Sequence, residues 1–504
     1  MVLAAFIFLL LTIGEGSLEA SPFRASLLQT VEVHSKLIGL PTTLASSDES
    51  VNVGLKLCDE MIIDSLDSLK ETVQSLHGFG ELLTDTQKDE LRGKLSYALV
   101  DHDTCLDAFE ELDFSTYRRN EDVIKTLKDS LRKGRQLVSK CLRLLSKGLP
   151  KLDERSFPYW FGPDDQKSLL MCQWIPNVTV ASDGTGDFLT ISEAVVKVPE
   201  SGSSKFVIHV KGGFYPENVI LPPKKSNVVM FGDGNTKTIV SASLNRLDNP
   251  LFTTFQTATF CKSTANFCVS SFDPLTPVFA VRGRGFVAMD MKFVNTAGPE
   301  KNQAVAFHST STFSVMYRCT FEGFQDTLYA HAGDQFYREC DIVGTVDFIF
   351  GYSAAIFQSC NILSRKPLPN QINTITAQAA SDQFAKSGFV IVNSTIGPYL
   401  GEHFTTYLGR PWKPFATVLV MKTYLGDIVE PRGWIAWNKE APPTTLRYGE
   451  FKNSGPGSGL GSRVNWTGYE PSMTDAEAQK YSVDIFINQD GWLNKTCIPY
   501  DRYV

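Results

Sequence analysis

The chain has 504 residues, 43% hydrophobic and 20% charged, a balance that excludes global disorder and leaves room for two or three domains. Its formal charge of -7 lies at one end: residues 1–173 hold 20 Lys+Arg against 27 Asp+Glu, and residues 174–504 hold 28 of each. A neutral second part lacks the basic face of a nucleic-acid binder, although it is compatible with a polyanionic substrate whose charges are partly masked.

The first element is the apolar run Val2–Ile13. It is too short to span a bilayer and fits the core of a secretory signal, so residues 1–20 are expected to form a signal peptide. The usual basic flank is missing, since the first cation is Arg24. A buried terminal helix or a mis-assigned start therefore stays open. Four N-x-[ST] sequons, at Asn177, Asn393, Asn465 and Asn494, are glycosylation candidates compatible with that route. No other stretch reads as membrane-spanning, so no membrane association is expected of the mature form. The ten cysteines include no Cys-x-x-Cys pair, and no His-Glu-x-x-His is present. No metal site or cofactor is indicated.

Residues 25–150 read as helical. Leu55, Cys58, Ile62, Leu66, Leu69, Val73 and Leu76 recur at three- and four-residue steps, as one buried helix face requires. Leu91, Leu95, Ala98, Leu99, His102, Cys105 and Phe109 repeat the pattern, and so do Ile124, Leu127, Leu131, Val138, Cys141 and Leu145. Helices of this kind predict an all-α antiparallel bundle. Cys58 and Cys105 both fall on apolar stripes, either as a disulfide between neighbouring helices or as two unbonded core thiols. Residues 151–173, with Pro158, Gly162, Pro163 and a charged run at Asp164–Lys167, read as a linker.

From Trp174 to the C-terminus the texture changes to short β-branched and aromatic runs such as Phe206–Val210 and Val228–Phe231. The segment Cys319–Tyr329 repeats as Cys340–Phe350, a step of 21 residues, and a third copy starts at Cys360. Phe321 falls on Ile342, Gly323 on Gly344, and Asp326 on Asp347. So short a strand-rich repeat predicts an all-β parallel β-helix, each coil stacked on the last. Cys319, Cys340 and Cys360 then form an interior ladder, with packing the expected role and a bond between adjacent members the alternative.

Equivalent positions on successive coils point the same way. Adjacent strands lie about 4.8 Å apart, so the carboxylates of Asp326 and Asp347 are expected within roughly 5–7 Å of each other. Like charges that close titrate together, which favours one protonated acid beside one ionised base or nucleophile. The same spacing also fits a retaining glycosidase, so geometry alone does not name the bond broken. No Gly-x-Ser-x-Gly elbow points to a serine esterase.

Gly323-Phe-Gln-Asp-Thr-Leu-Tyr329, Gly344-Thr-Val-Asp-Phe-Ile-Phe-Gly351 and Leu408-Gly-Arg-Pro-Trp412 resemble signature segments of plant pectin methylesterases, as do Gly213-Phe-Tyr-Pro-Glu217 and Gln303-Ala-Val-Ala306. The resemblance runs from about Trp174 to Pro499. It implies a right-handed parallel β-helix hydrolysing methyl esters of pectin in the cell wall, as a secreted and monomeric protein without cofactor. It assigns Asp347 as nucleophile, Asp326 as general acid and base, and Gln303 and Gln325 as oxyanion donors. Arg410 orients Asp347, and Trp412, Trp434 and Phe350 line the sugar cleft, with Trp437 a rival for the place of Trp434. Residues 25–150 resemble the pectin methylesterase inhibitor domain that precedes many plant members. That likeness implies a Cys58–Cys105 disulfide and allows a proteinaceous inhibitor as partner.

Three features depart from the family pattern. No cysteine precedes Cys58, so the expected N-terminal hairpin is either unbridged or truncated, and weak or no inhibition is expected of this domain. The dibasic processing signal is replaced by Gln166-Lys167-Ser168-Leu169-Leu170. Residues 261–279 read as an insertion, either a protruding loop in which Cys261 and Cys268 can bridge or a retained intron. Two rival functions remain at this level: a polygalacturonase or pectate lyase on the same fold, and a catalytically silent wall protein.

Overall fold

A computed structural model of the chain describes residues 22–78, 83–147, 174–248, 253–257, 279–437 and 441–504. The expected leader (1–20), the linker (151–173) and residues 261–278 of the expected insertion lie outside the described residues. The chain divides into two compact units, Met1–Pro158 and Tyr159–Val504.

The first unit is built on helices α1 (Pro22–Ser35), α2 (Glu49–Gly78), α3 (Asp85–Glu110) and α4 (Glu121–Lys147). Helix α2 packs along α3, α1 lies on α2 and α4, and α3 meets α4. The apolar stripes read from the sequence are the buried faces, with Leu55, Leu69, Leu91, Leu95, Ile124 and Val138 almost wholly enclosed. Thr84 starts α3 through a capping box with Gln87, which satisfies donors that a helix start leaves open. Cys58 and Cys105 form a disulfide that ties α2 to α3 across 47 residues. Deep in this unit His34 of α1 and His102 of α3 face each other, ring centroids 4.8 Å apart. Gly134 on α4 makes the room: a Cβ there would lie 3.1 Å from both rings.

Among the described residues, the second unit is a parallel β-helix of three sheets with 11, 7 and 8 strands. Every strand pair is parallel, and Leu328↔Ile349 and Thr320↔Asp341↔Asn361 reproduce the 21- and 20-residue steps of the repeat. The coil carrying residues 258–278 is longer: Val229 pairs with Val287, 58 residues on, whereas Val315 pairs with Phe336, 21 on. Strand Phe279–Val281 still pairs with Val219–Leu221 on one side and Phe307–Ser309 on the other. The solenoid therefore continues in register past the extra length.

From Met289 onward, one corner of successive coils is turned by a single left-handed residue. Asp290, Arg318, Glu339, Ser359, Asn393, Lys422 and Lys452 all have positive φ, and each follows the same rung of the 11-stranded sheet. Inside the coils run ladders of like residues, including the rings of Phe293 and Phe321, stacked 5.6 Å apart. Cys319, Cys340 and Cys360 are buried free thiols, so they pack rather than bond. Burial, reinforced by its two cysteine neighbours, pushes the Cys340 thiol well above its usual range. The outer side of the 11-stranded sheet is also covered, sharing a cluster with Val483, Ile487, Trp492 and Ile498 of the C-terminal segment. Burial on both faces explains continuous apolar runs such as Val228-Val229-Met230.

Candidate active site

The site lies on the seven-stranded sheet, where Phe307–Ser309, Leu328–Ala330, Ile349–Gly351, Asn373–Gln378 and Thr406–Gly409 succeed one another. Side chains alternate across a strand, so each rung has a core residue and an outward one. The inward rung is Phe307, Leu328, Ile349, Thr376 and Gly409, continued by a bridge to Trp434. The outward rung is His308, Tyr329, Phe350 and Ala377, and Arg410 follows at the next coil. Rings on this outward rung stack, His308 on Tyr329 at 4.7 Å and Tyr329 on Phe350 at 4.2 Å. The ladder forms an aromatic floor that leads to the cation. His331 beside it hydrogen-bonds His308 across 3.0 Å, and burial holds His331 well below the usual imidazole range.

Asp326 and Asp347 precede their strands by two residues, and the register places them one coil apart. The Asp326 amide donates to the carbonyl of Val346 at 3.0 Å. Both aspartates have positive φ, 61° and 51°, a conformation Asp tolerates better than most residues. Both are largely buried, 8% and 4% exposed. Arg410 holds Asp347 with a fork: Nε donates to Oδ1 at 2.9 Å and Nη2 to Oδ2 at 2.5 Å. Burial opposes the charge on Arg410, yet the Asp347 carboxylate, with Asp326 and Tyr448 further off, keeps it protonated above its usual range. Gly409 lets the strand bearing Arg410 approach this closely, because a Cβ there would sit 1.9 Å from Thr376 Oγ1. Thr374, one coil beyond Asp347, donates its hydroxyl to Asp347 Oδ1 at 2.6 Å.

Gln303 and Gln325 are half-buried on adjacent coils, linked where the Ala304 amide donates to the Gln325 carbonyl at 3.2 Å. Their carboxamides make no hydrogen bond among the described residues, which leaves them available to a ligand. Trp412 is half-exposed, 5.2 Å from the ring of Tyr352 and 6.3 Å from that of Phe350. Phe350 itself is only 4% exposed and supports Trp412 from below more than it forms a wall.

Trp434 requires a correction. It is 0% exposed and lies 4.4 Å from the ring of Tyr448, because its rung points inward, where small Thr376 and Gly409 leave volume to fill. The tryptophan facing the site is Trp437, half-buried, stacked 6.5 Å from Trp412 with the Arg410 guanidinium 4.2 Å above its ring. Thr374 was missed altogether, although extending the aspartate ladder by one coil reaches it.

The sequence profile of the pectinesterase family matches residues 177–274 and 271–490. The chain belongs to the pectinesterase family. Its N-terminal part, residues 17–144, matches the plant invertase/pectin methylesterase inhibitor profile. Among its relatives, pectinesterase 1 of Arabidopsis thaliana is 40% identical over 496 residues, spanning 94% of this chain and 81% of the relative. Pectinesterase 3 of Phaseolus vulgaris is 40% identical over 493 residues, spanning 95% and 81%. Among solved structures, pectin methylesterase from carrot superposes with a TM-score of 0.60 at 40% identity, covering 66% of this chain and 99% of that one. The Aspergillus niger enzyme reaches 0.52 at 26% identity, covering 64% and 97%. This pectinesterase is thus a carboxylic ester hydrolase on a parallel β-helix, preceded by an inhibitor-type helical domain. Among the described residues no cluster of His, Cys, Asp and Glu could hold a metal ion, and no helix is long and apolar enough to cross a membrane.

Proposed function

We propose that this pectinesterase hydrolyses the methyl esters of pectin through Asp347 and Asp326. The observation that carries the reading is the Arg410 fork on Asp347, one coil from a second buried carboxyl. The fork aims the Asp347 carboxylate and sets a fixed cation against it, as a nucleophile requires. An oxygen of Asp347 bonds to the ester carbonyl carbon while the carbonyl π pair moves onto oxygen. Gln303 and Gln325 meet that oxyanion, each such donor being worth about 3–4 kcal/mol in the transition state. Collapse expels methanol with the proton of Asp326 and leaves an acyl anhydride on Asp347. Asp326, now a carboxylate, takes a proton from water as its oxygen attacks the acyl carbon. Cleavage of the bond to Asp347 releases the galacturonate carboxylate. Trp412 and Trp437 supply flat faces for pyranose rings beside this centre.

The same reading places the protein in the cell wall after secretion and removal of residues 1–20, as a monomer. Residues 25–150 form the inhibitor-like domain, 151–173 the linker, and 174–504 the catalytic domain with an insertion at 261–279. The four sequon asparagines, Asn177, Asn393, Asn465 and Asn494, are exposed and open to glycosylation. The test is methanol release from methylated pectin by the full chain and its Asp347→Asn variant, with a loss of roughly 10⁴-fold or more expected. Equal release by both removes the assignment. Chain shortening or an unsaturated product in place of methanol would transfer the carboxyl pair to glycosidic-bond chemistry.

A further inference from the structure

The aspartate ladder does not stop at Asp347. Ile349 pairs with Thr376, so Thr374 occupies, one coil on, the place that Asp347 holds above Asp326. A third carboxylate there would have crowded like charge onto Asp347. A hydroxyl does the opposite, and its direction is settled by its partners. The backbone amide of Asp347 donates to Thr374 Oγ1 at 2.8 Å, so the hydroxyl accepts on that side, and a carboxylate oxygen opposite it can only accept. Its single proton is left for Asp347 Oδ1, 2.6 Å away. Thr374 is 2% exposed, and its own amide is bound to the carbonyl of Thr345, so the hydroxyl is fixed on rigid backbone at both ends.

The two oxygens of Asp347 therefore differ. Oδ1 receives the Thr374 hydroxyl at 2.6 Å and Arg410 Nε at 2.9 Å, which uses both of its in-plane lone pairs. Oδ2 receives Arg410 Nη2 at 2.5 Å and only a longer 3.2 Å contact from Nε. We infer that Thr374 is a positioning residue that saturates Oδ1 and so selects Oδ2 as the atom that attacks the ester carbon. In that step the Oδ2 lone pair that meets only the long Nε contact forms the new C–O bond, and the carbonyl π pair becomes the oxyanion. The Thr374 proton stays on its own oxygen throughout. The inference rests on Asp347 being the nucleophile.

The test compares Thr374→Val, Thr374→Ala and Thr374→Ser in the full chain, with Asp347→Asn alongside. Valine keeps the branched shape and removes the hydroxyl, so kcat should fall about ten- to a hundredfold, the range of a hydrogen bond to a charged group, with KM little changed. The acid limb of kcat/KM should move to higher pH, because a carboxylate that loses a donor takes up its proton more readily. Serine keeps the hydroxyl and should restore both kcat and the limb to within a fewfold of the parent. If the valine variant does not fold, the smaller alanine variant is read in its place. A valine or alanine variant with parental kcat and acid limb overturns the inference, as does a serine variant that is equally impaired. A merely structural role would lower thermal stability without moving the limb. An active Asp347→Asn variant sinks the nucleophile assignment itself, which separates the two failures.

Discussion

The two units of this protein differ in how they bury charge, although each also encloses a pair of imidazoles, His308 with His331 in the solenoid and His34 with His102 in the bundle. In the solenoid the buried ions come in pairs: Arg410 with Asp347, Arg463 with Glu450 at 2% and 1% exposed, and Lys386 with Asp334. The bundle has a half-buried pair in Arg135 and Asp103, but it also encloses the imidazoles of His34 and His102, both 0% exposed. Among the described residues, His34 Nε2 and both ring nitrogens of His102 have no hydrogen-bond partner. The difference follows from geometry. A parallel coil sets each side chain one strand spacing from the next, so a counter-charge can be placed on the adjoining rung or at the following turn. A helix stripe meets residues from several helices at varied angles, and a polar group in it is more easily enclosed neutral than matched.

That contrast predicts where each unit fails. The solenoid should be most sensitive to an emptied interior rung. Trp434→Ala removes a fully enclosed indole and should destabilise the catalytic unit by about 3–5 kcal/mol. Stacked coils depend mainly on their neighbours, so amide exchange should rise in the strands around Thr406–Gly409 and Arg447–Phe451 and stay unchanged in residues 22–147. Equal acceleration in both units would break the comparison.

The bundle should instead be most sensitive to acid. Burial holds His34 down at about 4, against an ordinary value of 6.5, partly offset by the hydrogen bond to the carbonyl of Thr30. His102 is pushed well below its usual range by burial, then by His34 and Arg135. The folded unit therefore refuses protons that the unfolded chain accepts. Stability is complete above pH 6.5 and falls as pH drops towards about 4, by roughly 3 kcal/mol from His34 alone. Amide exchange of the full chain at pH 7 and pH 4.5 reads this directly in residues 22–147, separately from any acid loss that the buried His331 brings to the solenoid. A His34→Leu, His102→Leu variant should lose the pH dependence, and a parent bundle equally protected at both pH values would refute the account.

How much of this was legible in the sequence depends on whether a period survives. The 21-residue step carried the solenoid, the interior thiol ladder and the stacking of Asp326 and Asp347, because all three follow from equivalent positions on equal coils. Helical stripes marked the buried faces of α2, α3 and α4, His102 among them. Thr374 escaped because its coil is longer: 27 residues separate it from Asp347, the excess lying between Ser364 and Asn373, so an alignment at 21 passes it by. Trp434 and Trp437 were not separable either. They sit three residues apart after the last strand of the site sheet, where no alternation shows which ring turns inward. Only the bridge from Gly409 to Trp434 settles the matter.

That last pair supports the smallest of the expected effects and the finest use of the comparison. If the solenoid assigns structure to inward rungs and recognition to outward ones, two tryptophans so close in sequence should respond differently to the same change. Trp437 lies at the surface with Arg410 4.2 Å above its ring, a contact worth about 0.5–2 kcal/mol. Trp437→Ala should therefore leave thermal stability almost unaltered and raise KM for methylated pectin by about three- to tenfold, since one stacking face is lost. A small fall in kcat is also expected, because Arg410 loses a neighbour that steadies its fork on Asp347. Trp434→Ala should show the reverse, with stability lost and KM close to the parent in the fraction that remains folded. If Trp437→Ala instead unfolds the enzyme while Trp434→Ala raises KM, the division of the rungs is wrong and Trp434 belongs to the cleft after all.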